Sequence, residues 1–196
     1  ILMRFRSLYP MEQFRILESD SARVVEKVAA RRADIGLTGT DAAGKYCEFV
    51  PFYEDELIVI TPNSVKYQNR KQSGSALEWI AGEPMLLREE GSGTRKEAMK
   101  LLQRAGIEES KLQVIASIEN PETIKRSVAS GMGISILSAL SAQDAVSSGQ
   151  VLAFSLGEER STREIYAVYN KNFQLSAGAS RFLKLIHKMY PVSEQK

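Results

Sequence analysis

Histidine and cysteine are almost missing from this chain of 196 residues: His187 and Cys47 stand alone. A single cysteine excludes an internal disulfide and suits a reducing compartment, so a cytoplasmic location is expected. No Cys/His cluster offers a metal site. His187 lies among Lys184 and Lys188, far from any glycine turn, and reads as a solvated helix residue. Cys47, in GKYCEFVPF, has no histidine near it and reads as a small buried hydrophobe. We therefore expect no metal, no cofactor and no enzymatic activity. No apolar run approaches the ~18 residues of a membrane span, and no export signal is evident, so no membrane partner is expected. Charge of one sign is not blocked either. The 26 Lys and Arg are scattered against 24 Asp and Glu, for a net +2, which leaves no stripe for nucleic acid. Trp79 and the tyrosines show no spacing that suggests base stacking, and no internal repeat or low-complexity tract is convincing.

What is present is an ordinary globular composition, 43% hydrophobic and 26% charged, able to bury a real core. The opening ILMRFRSLYP reads as the middle of a helix without a cap, and we expect further residues upstream. FRILES (14–19) reads as a short strand. DSARVVEKVAARRA follows with apolar positions 22, 25, 28 and 29 on one helical face and Ser19, Asp20 or Ser21 as N-cap. DIGLTG (34–39) is a brief strand, and LIVITP (57–62) a strand buried on both faces. The polar stretch 63–75 reads as a linker. A second series runs helix 76–81, strand 85–88, a glycine turn, helix 95–105 closed by Gly106, strand 112–118, helix 121–130 with Pro121 in its first turn, and strand 134–137. Gly131 is expected as a left-handed cap. EIYAVYN (164–170) is another strand, and 176–190 a closing helix with Phe182, Leu185, Ile186 and Met189 on one face. Alternation run twice predicts an α/β fold with two parallel-sheet halves.

The turn in REEGSGTRKEA (88–98) carries the chemistry. A dinucleotide fingerprint needs a third glycine where Lys96 stands, and a phosphate-binding P-loop is absent. What remains is a tight strand-to-helix turn offering backbone N–H groups, the hydroxyls of Ser92 and Thr94, and the positive end of a helix dipole. Two readings stay open: a site for a carboxylate or small oxyanion, or a structural turn whose hydroxyls cap a helix. TGT (38–40), ESDS (18–21) and SIENPE (117–122) are further strand ends or helix starts. Four such ends, two from each half, can converge on one ligand. The carboxylate pairs Glu89-Glu90, Glu108-Glu109 and Glu158-Glu159 read as exposed loop charges, with Arg95 pairing to Glu89 or Glu90.

Taken in order, these stretches resemble the effector-binding domain of LysR-type transcriptional regulators over essentially the whole chain. LMRFRSLYP is similar to the family's first-helix signature. ARRADIGLTGT resembles its G-x-x-D strand, with Arg32 at the place of the usual glycine. FYEDELIVITP resembles the close of the first half. EEGSGTRKEAMKLLQRAGI matches the GSGTR turn and helix, and ENPETIKRSVASGMGISILS the run that usually ends in proline, here Ser138. SSGQVLAF and LSAGASRFLKLI fit the final stretches.

The resemblance implies an α/β fold of two Rossmann-like subdomains with a central cleft, like type 2 periplasmic binding proteins. Residues 1–62 with 171–196 would form one subdomain and 63–170 the other. It implies an effector, small and anionic, in the cleft, contacted by Thr38 and Gly39 from one half and Ser92, Gly93 and Thr94 from the other. Ser19, Ser21 and Asn120 are looser assignments. It also implies a homodimer of this domain, with helices 1–9 and 121–130 at the interface, a tetramer when full length, and DNA contacted only through an N-terminal winged helix-turn-helix. The family's first strand and the hydroxyl-rich loop after it would lie before Ile1. The competing readings are a solute-binding receptor of a transporter with the same architecture, marked by an export signal, and a dehydratase- or deaminase-like enzyme, which would need an acid-base pair that the sequence does not offer.

Overall fold

A computed structural model describes residues 1–41, 44–70, 75–157 and 161–191. They divide into two compact units, Ile1–Glu54 with Glu164–Lys196, and Asp55–Arg163. The chain passes between them at 54/55 and 163/164, where the division expected above falls at 62/63 and 170/171. Both passages fall inside strands, β2 (Cys47–Pro62) and β7 (Thr162–Asn170). Neither a Gly nor a Pro marks them.

In the first unit, β1 (Ile35–Thr38) pairs antiparallel with β7, Ile35 opposite Tyr169 and Thr38 opposite Tyr166. Successive β7 residues face opposite sides, as strand geometry requires. Val168 packs with Val25 and Val28 of helix α2 (Ser21–Ala29) and with Cys47. Ala167 packs with Phe52 and with Ile186 of helix α7 (Ala177–Met189). Helix α1 (Leu2–Leu8) adds Phe5, whose ring lies 5.4 Å from Phe182 and 5.2 Å from Phe14. Asp20, among the three candidates, caps α2 by accepting from Arg23 N at 2.9 Å. On the expected faces Val25, Val28, Leu185 and Ile186 are buried, while Ala22 and Met189 are exposed; His187, expected in solvent, is exposed.

The second unit is a five-stranded sheet in the order β6-β2-β5-β3-β4. Strand β3 (Pro84–Arg88) is parallel to β4 (Gln113–Ile118) and β5 (Ile134–Ser138). β2 is antiparallel to β5 and to β6 (Val151–Ser155). Leu57, Val59, Met85, Leu87, Ile134 and Ile136 face a core closed by helix α4 (Gly93–Arg104). Ile58, Ile60, Leu86 and Leu137 face the core of helices α5 (Pro121–Ala129) and α6 (Ala139–Ser147). LIVITP is thus buried on both faces, at about 1.5–3 kcal/mol per large side chain.

Several expectations are corrected. The halves are not parallel sheets throughout. Strand–helix–strand alternation dictates parallel pairing only for strands joined by a crossover helix, whereas β2 and β7 arrive from the other unit. FRILES forms no regular element; among the described residues no strand pairs with it. A β-prone run without a backbone edge beside it stays irregular. Residues 76–81 form two short 3₁₀ turns, Ala76–Glu78 and Ile80–Gly82, the geometry common in short connecting pieces. Inside the expected linker, Val65–Arg70 is a helix, α3, held by buried Tyr67; residues 71–74 lie outside the described residues. The left-handed residue after α2 is Arg31, φ +59°, not Arg32. Counting G-x-x-D back from Asp34 gives Arg31. Gly131 does cap α5 with φ +86°.

Candidate functional site

Three strand-to-helix junctions lie at the carboxyl ends of neighbouring parallel strands in the second unit. β3 leads into α4, β4 into α5, and β5 into α6. Each helix is capped by a side chain at its junction. Ser92 Oγ accepts from Arg95 N at 3.4 Å, Asn120 Oδ1 from Glu122 N at 2.8 Å, and Ser138 Oγ from Ser141 N at 3.2 Å. Three helix N-termini on one edge give that edge a fixed positive partial charge. Ligands of open α/β sheets bind beyond such carboxyl ends.

The turn of residues 89–92 closes with Ser92 N donating to Glu89 O at 3.0 Å, and α4 starts at Gly93. Ser92 is 2% and Thr94 8% exposed. Thr94 Oγ1 accepts from Arg163 Nη1 at 3.1 Å. Arg163 also donates through Nε to Asp55 Oδ2 at 3.0 Å, with Nη2 at 2.9 Å from the same oxygen. Ser138 Oγ donates to Asp55 Oδ1 at 2.9 Å. Burial pulls the Arg163 guanidinium below its usual range, and the Asp55 carboxylate opposes that. Sequence reading missed Asp55, Arg163 and Ser138, because partners 108 and 83 residues apart leave no local pattern.

Arg95 does not pair with Glu89 or Glu90. It meets Glu109 at 2.5 Å and donates to Arg88 O at 3.2 Å, since Arg88 holds Glu89 through two bonds of 2.8 Å. Glu158-Glu159 lies outside the described residues. In the first unit, Thr38 ends β1, is 2% exposed, and donates its hydroxyl to Thr40 O at 3.1 Å; Gly39 follows it. Ser19 is exposed and donates to Glu18 O at 2.6 Å, with Lys27 Nζ on its oxygen. Ser21 is the first residue of α2. Cys47 is buried, and burial pushes its thiol up. Among the described residues, no three His, Cys, Asp or Glu gather to hold a metal, and no helix is long and apolar enough to cross a membrane.

Residues 1–191 match the LysR substrate binding domain. The chain belongs to this family. Within the curated proteins it is 30% identical over 138 residues to the HTH-type transcriptional regulator CysL of Bacillus subtilis, covering 70% of this chain and 44% of CysL. It is 28% identical over 183 residues to the HTH-type transcriptional activator CmpR of Synechocystis, covering 93% of this chain and 59% of CmpR. The chain therefore spans about half the length of these relatives. The fold matches the effector binding domain of QuiR in complex with shikimate, at TM-score 0.82 and 17% identity over 96% of this chain and 88% of that one. It also matches the Synechocystis PCC6803 CcmR regulatory domain in complex with 2-PG, at TM-score 0.84 and 21% identity over 97% and 89%. The two-subdomain α/β fold of LysR regulatory domains is thus the fold of this chain.

Proposed function

We propose that this domain senses a small anionic effector for a transcriptional regulator, and that the effector binds between the two subdomains. The observation that carries the anionic reading is the donor character of the turn after β3. The oxygens of Ser92 and Thr94 both accept from the protein, so each hydroxyl directs its one proton elsewhere, beside the N-terminus of α4. Such a group of donors favours oxygen atoms bearing negative charge. Shikimate, held by the QuiR domain, carries a carboxylate.

Ser92, Gly93 and Thr94 are the proposed contacts from one half, with Thr38 and Gly39 from the other. Thr38 would contribute through its backbone rather than its hydroxyl, whose proton goes to Thr40 O. Ser19, Ser21 and Asn120 are placed at the margin; the Asn120 oxygen is committed to capping α5. In the whole protein, an N-terminal helix-turn-helix would contact DNA, the domain would pair as a homodimer within a tetramer, and effector binding would shift the populations of two arrangements. Relatives named as HTH-type transcriptional regulators support this reading.

Thermal denaturation against sulfate, thiosulfate, selenite, O-acetylserine and benzoate tests it. A ligand at about 100 times its dissociation constant adds roughly 2.7 kcal/mol, a rise of several degrees in Tm. A hit that disappears in Thr94→Val supports the reading. No response to any compound, or a response unchanged in Thr94→Val, counts against it.

A further inference from the structure

The polarity of the turn after β3 is set by a residue outside it. Arg163, its side chain 8% exposed, reaches Thr94 Oγ1 with Nη1 while Nε and Nη2 rest on Asp55, itself 2% exposed. A guanidinium only donates, and a threonine hydroxyl has one proton and two lone pairs. The contact therefore fixes Thr94 as acceptor toward Arg163. Its O–H is left to point away from the guanidinium, and the charge behind the oxygen polarises that O–H into a stronger donor. Without Arg163, the hydroxyl could rotate and present lone pairs to an anion, which repels it.

Asp55 supplies the second half of the device. A buried guanidinium needs a carboxylate beside it, and Ser138, the cap of α6, holds the free oxygen of that carboxylate at 2.9 Å. Arg163 thus sits in one orientation, fixed from three elements of the unit. Asp55 and Arg163 are also the first and last residues of this unit, the points where the chain enters and leaves it.

We propose that Arg163, oriented by Asp55, is a positioning residue for effector recognition: it holds the Thr94 hydroxyl as a donor and so selects for oxyanions. The inference rests on the reading that Thr94 touches the effector. The test is a double-mutant cycle on the 196-residue chain, with binding of the five compounds above measured by calorimetry. Asp55→Leu/Arg163→Met removes the pair without stranding a buried charge, and far-UV circular dichroism with Tm confirms folding. Wild type should bind at least one of them. Thr94→Val and Asp55→Leu/Arg163→Met should each weaken that anion about tenfold, the loss of one hydrogen bond to a charged group. The triple variant should be no weaker than Thr94→Val, because Arg163 acts through Thr94. Arg163→Gln, which keeps an N–H donor, should recover part of the loss.

The failures separate. No binding by wild type, or full binding by Thr94→Val, overturns the site reading and this inference together. Loss in Thr94→Val with full binding by the Asp55/Arg163 variant overturns the positioning role alone. Losses that multiply in the triple variant make the pair merely structural, which also overturns it. If Asp55→Leu/Arg163→Met does not fold, the cycle is closed with Asp55→Asn/Arg163→Met, which is also uncharged and keeps an acceptor for Ser138, and the same comparison with Thr94→Val decides.

Discussion

Gly133 sits against the carbonyl of Pro84, so close that a Cβ built on it would lie 2.4 Å from the oxygen. The contact joins the approach to β5 with the start of β3, the two strands at the centre of the second unit's sheet. Backbone cannot swing aside as a side chain can. Gly133→Ala should destabilise the domain by about 1–3 kcal/mol through forced displacement. Urea denaturation read by circular dichroism checks this. Gly82, with nothing within 4 Å of a built Cβ, is the control, and Gly82→Ala should be near neutral.

Arg31 occupies the left-handed region with φ +59°, and its guanidinium stands 4.3 Å from the centroid of Phe173. The backbone costs roughly 1–2 kcal/mol for a residue with a Cβ, and the cation–π contact returns about 0.5–1 kcal/mol. Arg31→Ala keeps the strain and loses the contact, so it should destabilise by about 0.5–1 kcal/mol. Arg31→Gly loses the contact but relieves the strain, and should be more stable than Arg31→Ala. The order of the two Tm values is the readout; the reverse order would refute the account.

Sequence was informative where a residue's role is set locally and silent where it is not. Strand LIVITP and the helix caps at Asp20 and Gly131 were legible because burial on both faces and backbone handedness leave local marks. The direction of β2 and β7 was not, because both strands enter from the other unit and no crossover helix dictates their sense. Helix α6 and strand β6 passed unassigned in a stretch of alanine and serine with weak periodicity. At the candidate site, Ser92 to Thr94 stood out through the glycine turn. Asp55 and Arg163 did not, since an ion pair across 108 residues is visible only once the sheet has assembled.

Glu83 carries a pH dependence. Burial pushes its carboxyl up, but bonds from Lys66 (2.6 Å) and Tyr67 (2.7 Å), with Arg70 at 3.2 Å, outweigh this and leave it below its ordinary value. A group depressed in the folded state stabilises above its unfolded pKa, and that stability is lost as pH falls through the folded pKa. Glu83→Gln should therefore cost about 2 kcal/mol at neutral pH. The gap to wild type should be full above an unfolded pKa of 4.5 and shrink below it. Parallel denaturation curves for the two proteins from pH 7 to pH 3 check it. A gap that stays constant, or widens in acid, would show that the ionised carboxylate is not what stabilises.

Ser138 separates capping from electrostatics. Its oxygen accepts from Ser141 N at the start of α6, and its proton goes to Asp55 Oδ1. Ser138→Ala removes both and should cost about 1–2 kcal/mol. On capping alone, aspartate would be as good a residue here as serine. Beside Asp55, however, it cannot donate, and it sets a second carboxylate against one that is 2% exposed. Ser138→Asp should therefore be less stable than Ser138→Ala at pH 7, reversing the order that N-cap preference predicts. Acid should narrow the difference, because protonating the introduced carboxyl restores a donor toward Asp55. Denaturation of the three proteins at pH 7 and pH 4.5 decides: Ser138→Asp above Ser138→Ala at pH 7 would mean that the cap matters and the contact with Asp55 does not.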